Sequence, residues 1–384
     1  MKKVALMTWY DNENYGTALQ AYALQSAISE YVECEIVPYK SGHPGYGLKD
    51  IINPVLRKNL YWKIYERVIL RLFRKKYVVF QEQRSERMNE YIFRKLKFAI
   101  ENTKQDLFDN VNYQYDAVIC GSDQIWNPTR YDKHFFLDFV KDDILKIAYA
   151  PSFGVGSIVD NKINNEIKVL LNRFDYLSVR EFAGREIISN LLGKDVQVCL
   201  DPTLLHGKEF WIQLVNESKI KVPDKYVYCY FLGRNKRNLQ SAKVISKTLN
   251  LRLVQQPYNI VDYLSGVELI PPSGPEDFLN AIKNSDFVCT DSFHGVIFAI
   301  IFEKPFVVFK RFKETNRASQ NSRIDTLLKT VGLEERIELS EYLSKDELLD
   351  ISFEKCKENL RIDKEKSMIF LRSALEDILY KGEH

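Results

Sequence analysis

The chain has 384 residues, of which 45% are hydrophobic and 28% are charged, and its formal net charge is +3. This length favours two domains over one, and the composition is typical of a soluble globular protein. The near-neutral charge argues against a dedicated nucleic-acid binder. The six cysteines are far apart and form no Cys-x-x-Cys pair, which favours a reducing cytoplasm over a disulfide framework.

The N-terminal segment predicts a strand, a glycine-bearing turn and a helix. Lys3–Thr8 is too short an apolar run for a signal peptide, and no apolar stretch reaches the about 18 residues of a membrane-spanning helix. Gly16 permits a close approach of the backbone, and the helix N-terminus after it attracts anions. Asn14, Gly16 and Thr17 are therefore candidate binding residues, with an ordinary strand-to-helix turn as the alternative.

Residues 54–104 are helical in pattern and strongly basic. From residue 55 to 104 there are 14 Lys or Arg against 5 Asp or Glu, with aromatic residues between them. We expect a helical insertion with a solvated charged face. The alternative is a surface that docks on anionic lipid or on a lipid-linked substrate, to which each basic residue would contribute roughly 1 kcal/mol.

Repeated strand, polar turn and helix patterns then predict a doubly wound parallel sheet. Ligands bind at the carboxyl edge of such sheets, where Ser122 and Asp123 follow one strand and Arg180 follows another. A guanidinium there could capture a carboxylate or phosphate with two hydrogen bonds, although a surface ion pair with Glu181 is the alternative. The predicted strands are Asp116–Cys120, Lys146–Ala150, Tyr176–Val179 and Val196–Leu200.

The composition changes after Leu205, and a second set of strands and helices follows. We predict an N-terminal domain over 1–205 with the insertion at about 54–104, a C-terminal domain over 206–350, and a C-terminal helix within 351–384. Basic residues that could supply positive charge in the second domain include Arg234, Lys310 and Arg323. Its predicted strands are Tyr226–Leu232, Leu251–Gln255, Phe287–Thr290 and Pro305–Phe309.

The polar turn after Phe287–Thr290 is the strongest candidate site. Ser292 lies at a helix N-terminus, which favours anions, and His294 can give or take a proton near neutral pH. A histidine that caps a helix or is satisfied in the core is the alternative. The candidate residues of this turn are Asp291, Ser292, Phe293, His294 and Gly295.

Common nucleotide and metal motifs are missing from the sequence. There is no phosphate-binding G-x-x-x-x-G-K-[ST], no G-x-G-x-x-G after a strand, no G-x-S-x-G, no Asp-x-Asp, and no His/Cys cluster at metal spacing. The expected site is therefore metal-independent and handles an anionic small molecule between two α/β domains.

Five motifs in this order resemble the polysaccharide pyruvyl transferase family, and they extend over roughly residues 3–332. The resemblance implies a GT-B-like fold, with two Rossmann-like domains facing a cleft and a C-terminal helix that crosses back to the first domain. The motifs are Asn14–Gln20, Gly121–Asn127, Ser178–Glu181, Asp201–Thr203 and Asp291–Gly295.

The resemblance also implies an enzyme that moves a pyruvyl group from phosphoenolpyruvate to a sugar of a polysaccharide or its lipid-linked precursor. The product would be a cyclic ketal, with His294 as acid and base and Arg180 as anion clamp. One family member has a basic residue where this chain has Ser292. The phosphate would then need another partner, such as Arg234, Lys310 or Arg323.

The expected partners are phosphoenolpyruvate and a glycan acceptor, without cofactor, metal or nucleic acid. The expected location is the cytoplasm, with peripheral contact to the inner membrane face, in exopolysaccharide or capsule synthesis. Two other functions stay open at this point. One is a metal-independent GT-B glycosyltransferase that uses a nucleotide sugar, and the other is a catalytically silent glycan-binding protein.

Overall fold

A computed structural model of the protein describes residues 2–11, 14–40, 77–99, 106–311, 322–338 and 344–380. Most of the predicted basic insertion, at 54–76 and 100–104, lies outside these ranges. Within them the chain forms two parallel sheets, one of six strands and one of five, with helices packed on them. This confirms the predicted α/β class with two doubly wound sheets.

The strand order of the first sheet is β2-β1-β3-β4-β5-β6, so the order reverses between β1 and β3. Every residue of β3 and β4 is buried, as expected for central strands covered on both faces. Such a reversal opens a crevice at the carboxyl ends of the two strands. The strands are β1 (Lys3–Met7), β2 (Glu33–Ile36), β3 (Ala117–Cys120), β4 (Leu145–Ala148), β5 (Tyr176–Val179) and β6 (Gln197–Val198).

The helices of the first half begin with α1, which starts at Tyr15. Asn14 caps it, because its side chain accepts a hydrogen bond of 3.0 Å from the backbone N–H of Gly16. The helices are α1 (Tyr15–Ser29), α2 (77–95), α3 (Asp106–Gln114), α4 (Asn161–Leu171) and α5 (Phe182–Leu192).

The second sheet has the order β11-β10-β7-β8-β9 and reverses between β7 and β10. The sequence did not predict β9, which has only two residues. The strands are β7 (Tyr226–Tyr230), β8 (Arg252–Gln256), β9 (Glu268–Leu269), β10 (Phe287–Thr290) and β11 (Phe306–Val308).

Among the helices of the second half, α9 is apolar all round and buried along nearly its whole length. A helix of that kind packs on every side rather than on one stripe, so α9 lies in the core behind β10. The helices are α6 (Lys208–Val215), α7 (Lys236–Leu249), α8 (Pro275–Lys283), α9 (Phe293–Ile301), α10 (Ser322–Val331), α11 (Lys345–Leu349) and α12 (Phe353–Tyr380).

Helix α12 contacts both halves of the molecule. The Tyr176 hydroxyl donates to Asp377 at 2.6 Å, and the backbone N–H of Leu200 donates to the Ser367 hydroxyl at 2.9 Å. Near its start, the α12 residue Asn359 donates to the Val331 carbonyl at the end of α10. These contacts join α12 to β5, to the segment after β6 and to α10, while the domain limits near 205 and 350 stay a prediction.

The described part of the basic insertion faces acidic side chains of the second half. On α2, Arg87 lies 3.0 Å from Asp277 at the start of α8, and Arg94 pairs with Glu276 beside it. These two arginines are partly exposed and are also engaged in ion pairs. Membrane contact by residues 54–76 or 100–104 stays a prediction. No helix in the described ranges has the length and apolar character needed to cross a bilayer.

Candidate active site

The reversal points of the two sheets face each other across a cavity of about 190 Å³. The first half lines it with Trp9, Asn14, Thr17, Asp123, Gln124 and Arg130, most of which follow β1 or β3. The second half lines it with Leu232, Tyr258, Ser292, Phe293, His294, Arg311 and Arg323. The cavity thus lies where two crevices of the kind that binds ligands meet.

His294 is held in the first turn of α9. The Ser292 hydroxyl caps this turn by accepting from the backbone N–H of Gly295, and Thr290 holds the backbone N–H of Ser292 at 3.0 Å. The His294 ring is buried, and its Nε2 lies 3.5 Å from Asp201 Oδ2. Nε2 has almost no exposed surface and faces this carboxylate, so Asp201 fixes the orientation of the ring.

Gly16 leaves room for the ring of His294. A Cβ atom at this position would lie only 2.1 Å from Nδ1 of His294. We predicted Gly16 for a close approach to a ligand, and the structure instead shows a close approach to the catalytic candidate of the other sheet. Only glycine lets the start of α1 pack against α9 in this way.

Arg180 lies at the end of β5 with its charge matched by two carboxylates. Nη1 donates to Asp201 at 2.6 Å, and Nη2 lies 3.5 Å from Asp123 Oδ1. Burial alone would lower the pKa of Arg180, but these two carboxylates outweigh it and raise the pKa. The guanidinium also stacks over the Phe293 ring at 4.7 Å. It pairs with Asp201 and Asp123 rather than with Glu181.

Asp123 and Asp201 are carboxylates at neutral pH despite their burial. Burial would raise the pKa of Asp201, but His294 and Arg180 outweigh it and hold the pKa well below its ordinary range. The pKa of Asp123 is lowered too, because Arg180 and His294 outweigh its burial and Thr17 donates to it at 2.7 Å. Asp123 also has a φ of 61°, a backbone strain often found at functional sites.

Arg323 on α10 is a buried cation with other arginines close to it. Burial and the nearby Arg180 lower its pKa to about 9, with Asp123 acting in the opposite direction. Arg311, which also opposes the charge of Arg323, donates to the Asp291 carbonyl at 2.9 Å. A bound anion would relieve the repulsion among these arginines, so Arg323 is the strongest anion-binding candidate.

Asp291 and Gly295 shape the turn around His294 rather than line the cavity. The Asp291 carboxylate accepts from the backbone N–H groups of Leu232 at 2.7 Å and Gly233 at 2.8 Å, which ties β10 to the turn after β7. Gly295 packs on Thr290, whose Oγ1 would lie 2.5 Å from an added Cβ. Of the predicted turn, only Ser292, Phe293 and His294 reach the cavity.

Three other predicted residues lie elsewhere. Arg234 lines a separate cavity of about 300 Å³ and donates to Asn259 at 3.3 Å. Lys310 lies beyond β11, where its backbone N–H binds Glu338, and it does not line the 190 Å³ cavity. Ser122 is buried and donates to the Ala150 carbonyl at 2.8 Å. The predicted residues are therefore only partly gathered at one place.

Several lining residues were not among the predicted site residues. Trp9, Gln124 and Arg130 lie in the turns after β1 and β3. Their position after a strand is the signal that could have identified them. Asp201 belongs to a quoted motif, but the sequence did not reveal that it faces His294. In the described part of the chain, no group of three His, Cys, Asp or Glu could hold a metal ion.

Fold and cavity together define an α/β protein with a candidate site between the edges of two parallel sheets. A profile of the family described as polysaccharide pyruvyl transferase matches residues 14–311, which is most of the chain. The chain therefore belongs to the polysaccharide pyruvyl transferase family, an enzyme family that transfers pyruvyl groups in polysaccharide synthesis. This confirms the family and the enzyme class predicted from the motifs.

Solved structures with a similar course of the chain are distant in sequence. The glycosyltransferase AviGT4 of avilamycin A biosynthesis has 12% identity and a TM-score of 0.49, with 98% of each chain covered. The UDP-GlcNAc 2-epimerase of Neisseria meningitidis has 12% identity and a TM-score of 0.48, covering 97% of this chain and 94% of its own. Likeness at this level concerns the fold alone. A comparison with curated protein sequences finds no match.

Proposed function

We propose that the enzyme transfers the pyruvyl group of phosphoenolpyruvate to two hydroxyls of one sugar in a cell-surface polysaccharide or its lipid-linked precursor. The proposal rests on one observation. His294 and the buried cation Arg323 line the same cavity of about 190 Å³. A proton carrier and a buried cation are what a small anionic donor requires.

The chemistry balances without a cofactor or metal. Carbon 3 of phosphoenolpyruvate takes up a proton, which leaves an oxocarbenium-like centre at carbon 2. One sugar hydroxyl adds there and loses its proton, and the bond from carbon 2 to the phosphate oxygen breaks. The second hydroxyl then adds and loses its proton, closing the ketal ring. Of the two protons released, one replaces the proton delivered to carbon 3 and the other leaves with phosphate.

His294 supplies and accepts these protons. The nearby Asp201 carboxylate, whose pKa His294 and Arg180 keep low against its burial, stabilises the imidazolium form when His294 is charged. Its own low pKa means that Asp201 stays a carboxylate and does not act as the acid. Arg180 in turn holds Asp201 at 2.6 Å and thereby fixes its place beside His294.

Cations of the second half hold the donor. Arg323 binds one anionic group of phosphoenolpyruvate, and the N-terminus of α9 beside Ser292 favours the other. Arg180, which we expected to be the clamp, supports Asp201 instead. We place the reaction in the cytoplasm, in exopolysaccharide or capsule synthesis, with a peripheral contact to lipid-linked acceptors.

The test is to incubate the protein with phosphoenolpyruvate and the lipid-linked glycans of its source organism. We expect release of inorganic phosphate together with a new ketal methyl signal in the proton NMR spectrum. His294→Gln should lower kcat by about 10²–10⁴-fold, the usual share of a general acid and base. The matched control is His134→Gln, since His134 pairs with Asp138 away from the cavity.

Two outcomes would overturn the proposal. One is the absence of any ketal with the native glycan, and the other is full activity of His294→Gln.

Thermal shift measurements add a check that needs no acceptor. Stabilisation by phosphoenolpyruvate supports the proposal, whereas stabilisation by a nucleoside diphosphate alone would favour a nucleotide-sugar transferase.

A further inference from the structure

A buried glutamine on α1 contacts the residues around the 190 Å³ cavity without lining the cavity itself. Gln20 is 0% exposed and ends the motif Asn14–Gln20, and the chemistry described above gives it no role. An amide that is buried this completely has lost its hydrogen bonds to water, so protein groups must replace them. The partners of Gln20 therefore indicate what its side chain does.

The amide of Gln20 connects the end of β1, the start of α1 and the end of β3. Its Nε2 lies 2.9 Å from the Trp9 carbonyl oxygen, 3.1 Å from the Thr17 carbonyl oxygen and 3.0 Å from the Thr8 hydroxyl. Its Oε1 accepts from the backbone N–H of Ser122 at 3.2 Å. Only the oxygen can accept from that N–H and only the nitrogen can donate to the carbonyls, so the orientation of the amide is fixed.

These bonds lie where the strand order of the first sheet reverses. Just past β3, the backbone N–H of Gly121 still donates to the Met7 carbonyl of β1 at 3.1 Å. The next N–H, that of Ser122, donates to Gln20 instead. The glutamine side chain thus bridges the two strand ends at the point where a crevice opens between them.

The residues that Gln20 holds supply much of the first-half wall of the cavity. Trp9 and Thr17 line the cavity directly, and Asp123, which also lines it, follows Ser122 in the chain. The Thr17 hydroxyl donates to Asp123 Oδ2 at 2.7 Å, which closes a ring of contacts with Gln20. A shift of the Gln20 amide would therefore move three lining residues together.

We propose that Gln20 is a positioning residue that fixes the first-half wall of the cavity opposite His294 for the transfer step. This inference rests on the proposed pyruvyl transfer. The groups proposed to hold the donor, Arg323 and the N-terminus of α9, belong to the second half. Loss of the Gln20 bonds should therefore disturb the transfer step more than the binding of phosphoenolpyruvate.

The same helix carries a matched control. Gln25 is also buried, and its Nε2 donates to the carbonyls of Cys34 at 3.1 Å and Lys97 at 2.8 Å. Its Oε1 accepts from the backbone N–H of Lys97 at 3.0 Å. Gln25 thus ties α1 to β2 and to the segment after α2, and none of these three residues lines the cavity. The two glutamines make the same kind of bonds but hold different parts of the molecule.

The test compares Gln20→Met with Gln25→Met, because methionine keeps the length of the side chain and removes the amide. Both variants should lower the Tm by similar amounts. Only Gln20→Met should lower kcat, by about 10–100-fold, since a misplacement of about 1 Å can cost about that much in rate. The Kd for phosphoenolpyruvate, measured by calorimetry, should stay within about threefold of the wild-type value in both. If Gln20→Met does not fold, Gln20→Asn, which keeps an amide on a shorter side chain, gives the same comparison.

Fluorine-labelled tryptophan provides a readout that does not depend on pyruvyl transfer. The fluorine NMR signal of Trp9, assigned with Trp9→Phe, should shift or broaden in Gln20→Met and stay unchanged in Gln25→Met. The inference is overturned if Gln20→Met keeps the wild-type kcat and Trp9 signal, or if both variants lower kcat equally. Because wild-type transfer is measured first, failure of the proposed function would show as no ketal at all, while the Trp9 signal would still report whether Gln20 holds the wall.

Discussion

The two sheet edges that meet at the site carry opposite balances of charge. At the edge of the first sheet, two carboxylates, Asp123 and Asp201, surround one guanidinium, that of Arg180. At the edge of the second, two arginines, Arg311 and Arg323, accompany a single carboxylate, Asp291. The negative edge can stabilise a charged histidine, whereas the positive edge can hold an anionic donor.

Two arginines illustrate this difference. Arg180 stands within a motif and is paired with Asp201 and Asp123, whereas Arg323 lies on a helix outside the motifs and has its pKa lowered by burial and by another arginine. We therefore expect Arg323, rather than Arg180, to bind the anionic substrate.

The largest effect should follow from removing one charge of the negative edge. Asp201→Asn leaves the buried Arg180 without its closest partner, and breaking such a pair costs about 3–5 kcal/mol. Because the folded pKa of Asp201 lies below its ordinary 3.8, its contribution to stability is complete above that pH and is lost as the pH falls further. The free energy of unfolding, measured by denaturant titration at pH 7, should fall accordingly.

The control for that experiment is Asp195→Asn, which removes the exposed partner of Arg185. It should change stability by no more than about 1 kcal/mol, as surface ion pairs do. Equal losses in the free energy of unfolding for the two substitutions would show that Asp201 contributes no more to stability than a surface carboxylate does.

Gly16→Ala should be next in size. The added methyl group would overlap the His294 ring, and overpacking of this kind costs about 1–3 kcal/mol. We expect kcat to fall about as it does for His294→Gln because the ring moves, while the far-ultraviolet circular dichroism stays unchanged. Gly156→Ala is the control, since an added Cβ there meets nothing within 4 Å. An active Gly16→Ala enzyme would rule out a fixed His294.

Arg323→Gln should stabilise the empty enzyme. The folded pKa of about 9 lies below the ordinary 12.5, so at neutral pH the buried charge opposes folding, and stability rises as the pH increases from about 9. Removing the charge should raise the apparent Tm at pH 7.5 by about 2–4 °C, which corresponds to about 1 kcal/mol. Arg252→Gln, which breaks an exposed pair with Glu268, should not raise it. A lower Tm for Arg323→Gln would mean that burial of this charge does not oppose folding.

The smallest effect concerns the ion pairs between α2 and the second half. Arg87→Gln removes one partner of Asp277, whose carboxylate keeps hydrogen bonds from Gly274 and Ser218. We expect a loss of about 0.2–1 kcal/mol in denaturant unfolding. A double-mutant cycle with Arg94→Gln would show whether the α2 pairs act together. A loss of several kcal/mol would instead show that the contacts of α2 contribute strongly to the free energy of unfolding.

The strands and the His294 turn were predictable because buried parallel strands are continuous apolar runs and ligand sites follow them. What the sequence could not provide were relations across the cleft. Asp201 and His294 are 93 positions apart, yet they lie 3.5 Å from each other. No local pattern indicates that Gly16 packs on His294, or that Arg180 lies between Asp201 and Asp123. The short β9 and the exclusion of Lys310 from the cavity likewise depend on tertiary packing.

The most direct measurement is the titration of phosphoenolpyruvate into three variants by calorimetry. Arg323→Gln should weaken binding by about 10–150-fold, equivalent to the 1.5–3 kcal/mol of a hydrogen bond to a charged group. Arg234→Gln and Lys310→Gln should bind as the wild type does, because neither residue lines the 190 Å³ cavity. Unchanged binding in Arg323→Gln, or equal weakening in all three variants, would contradict the account.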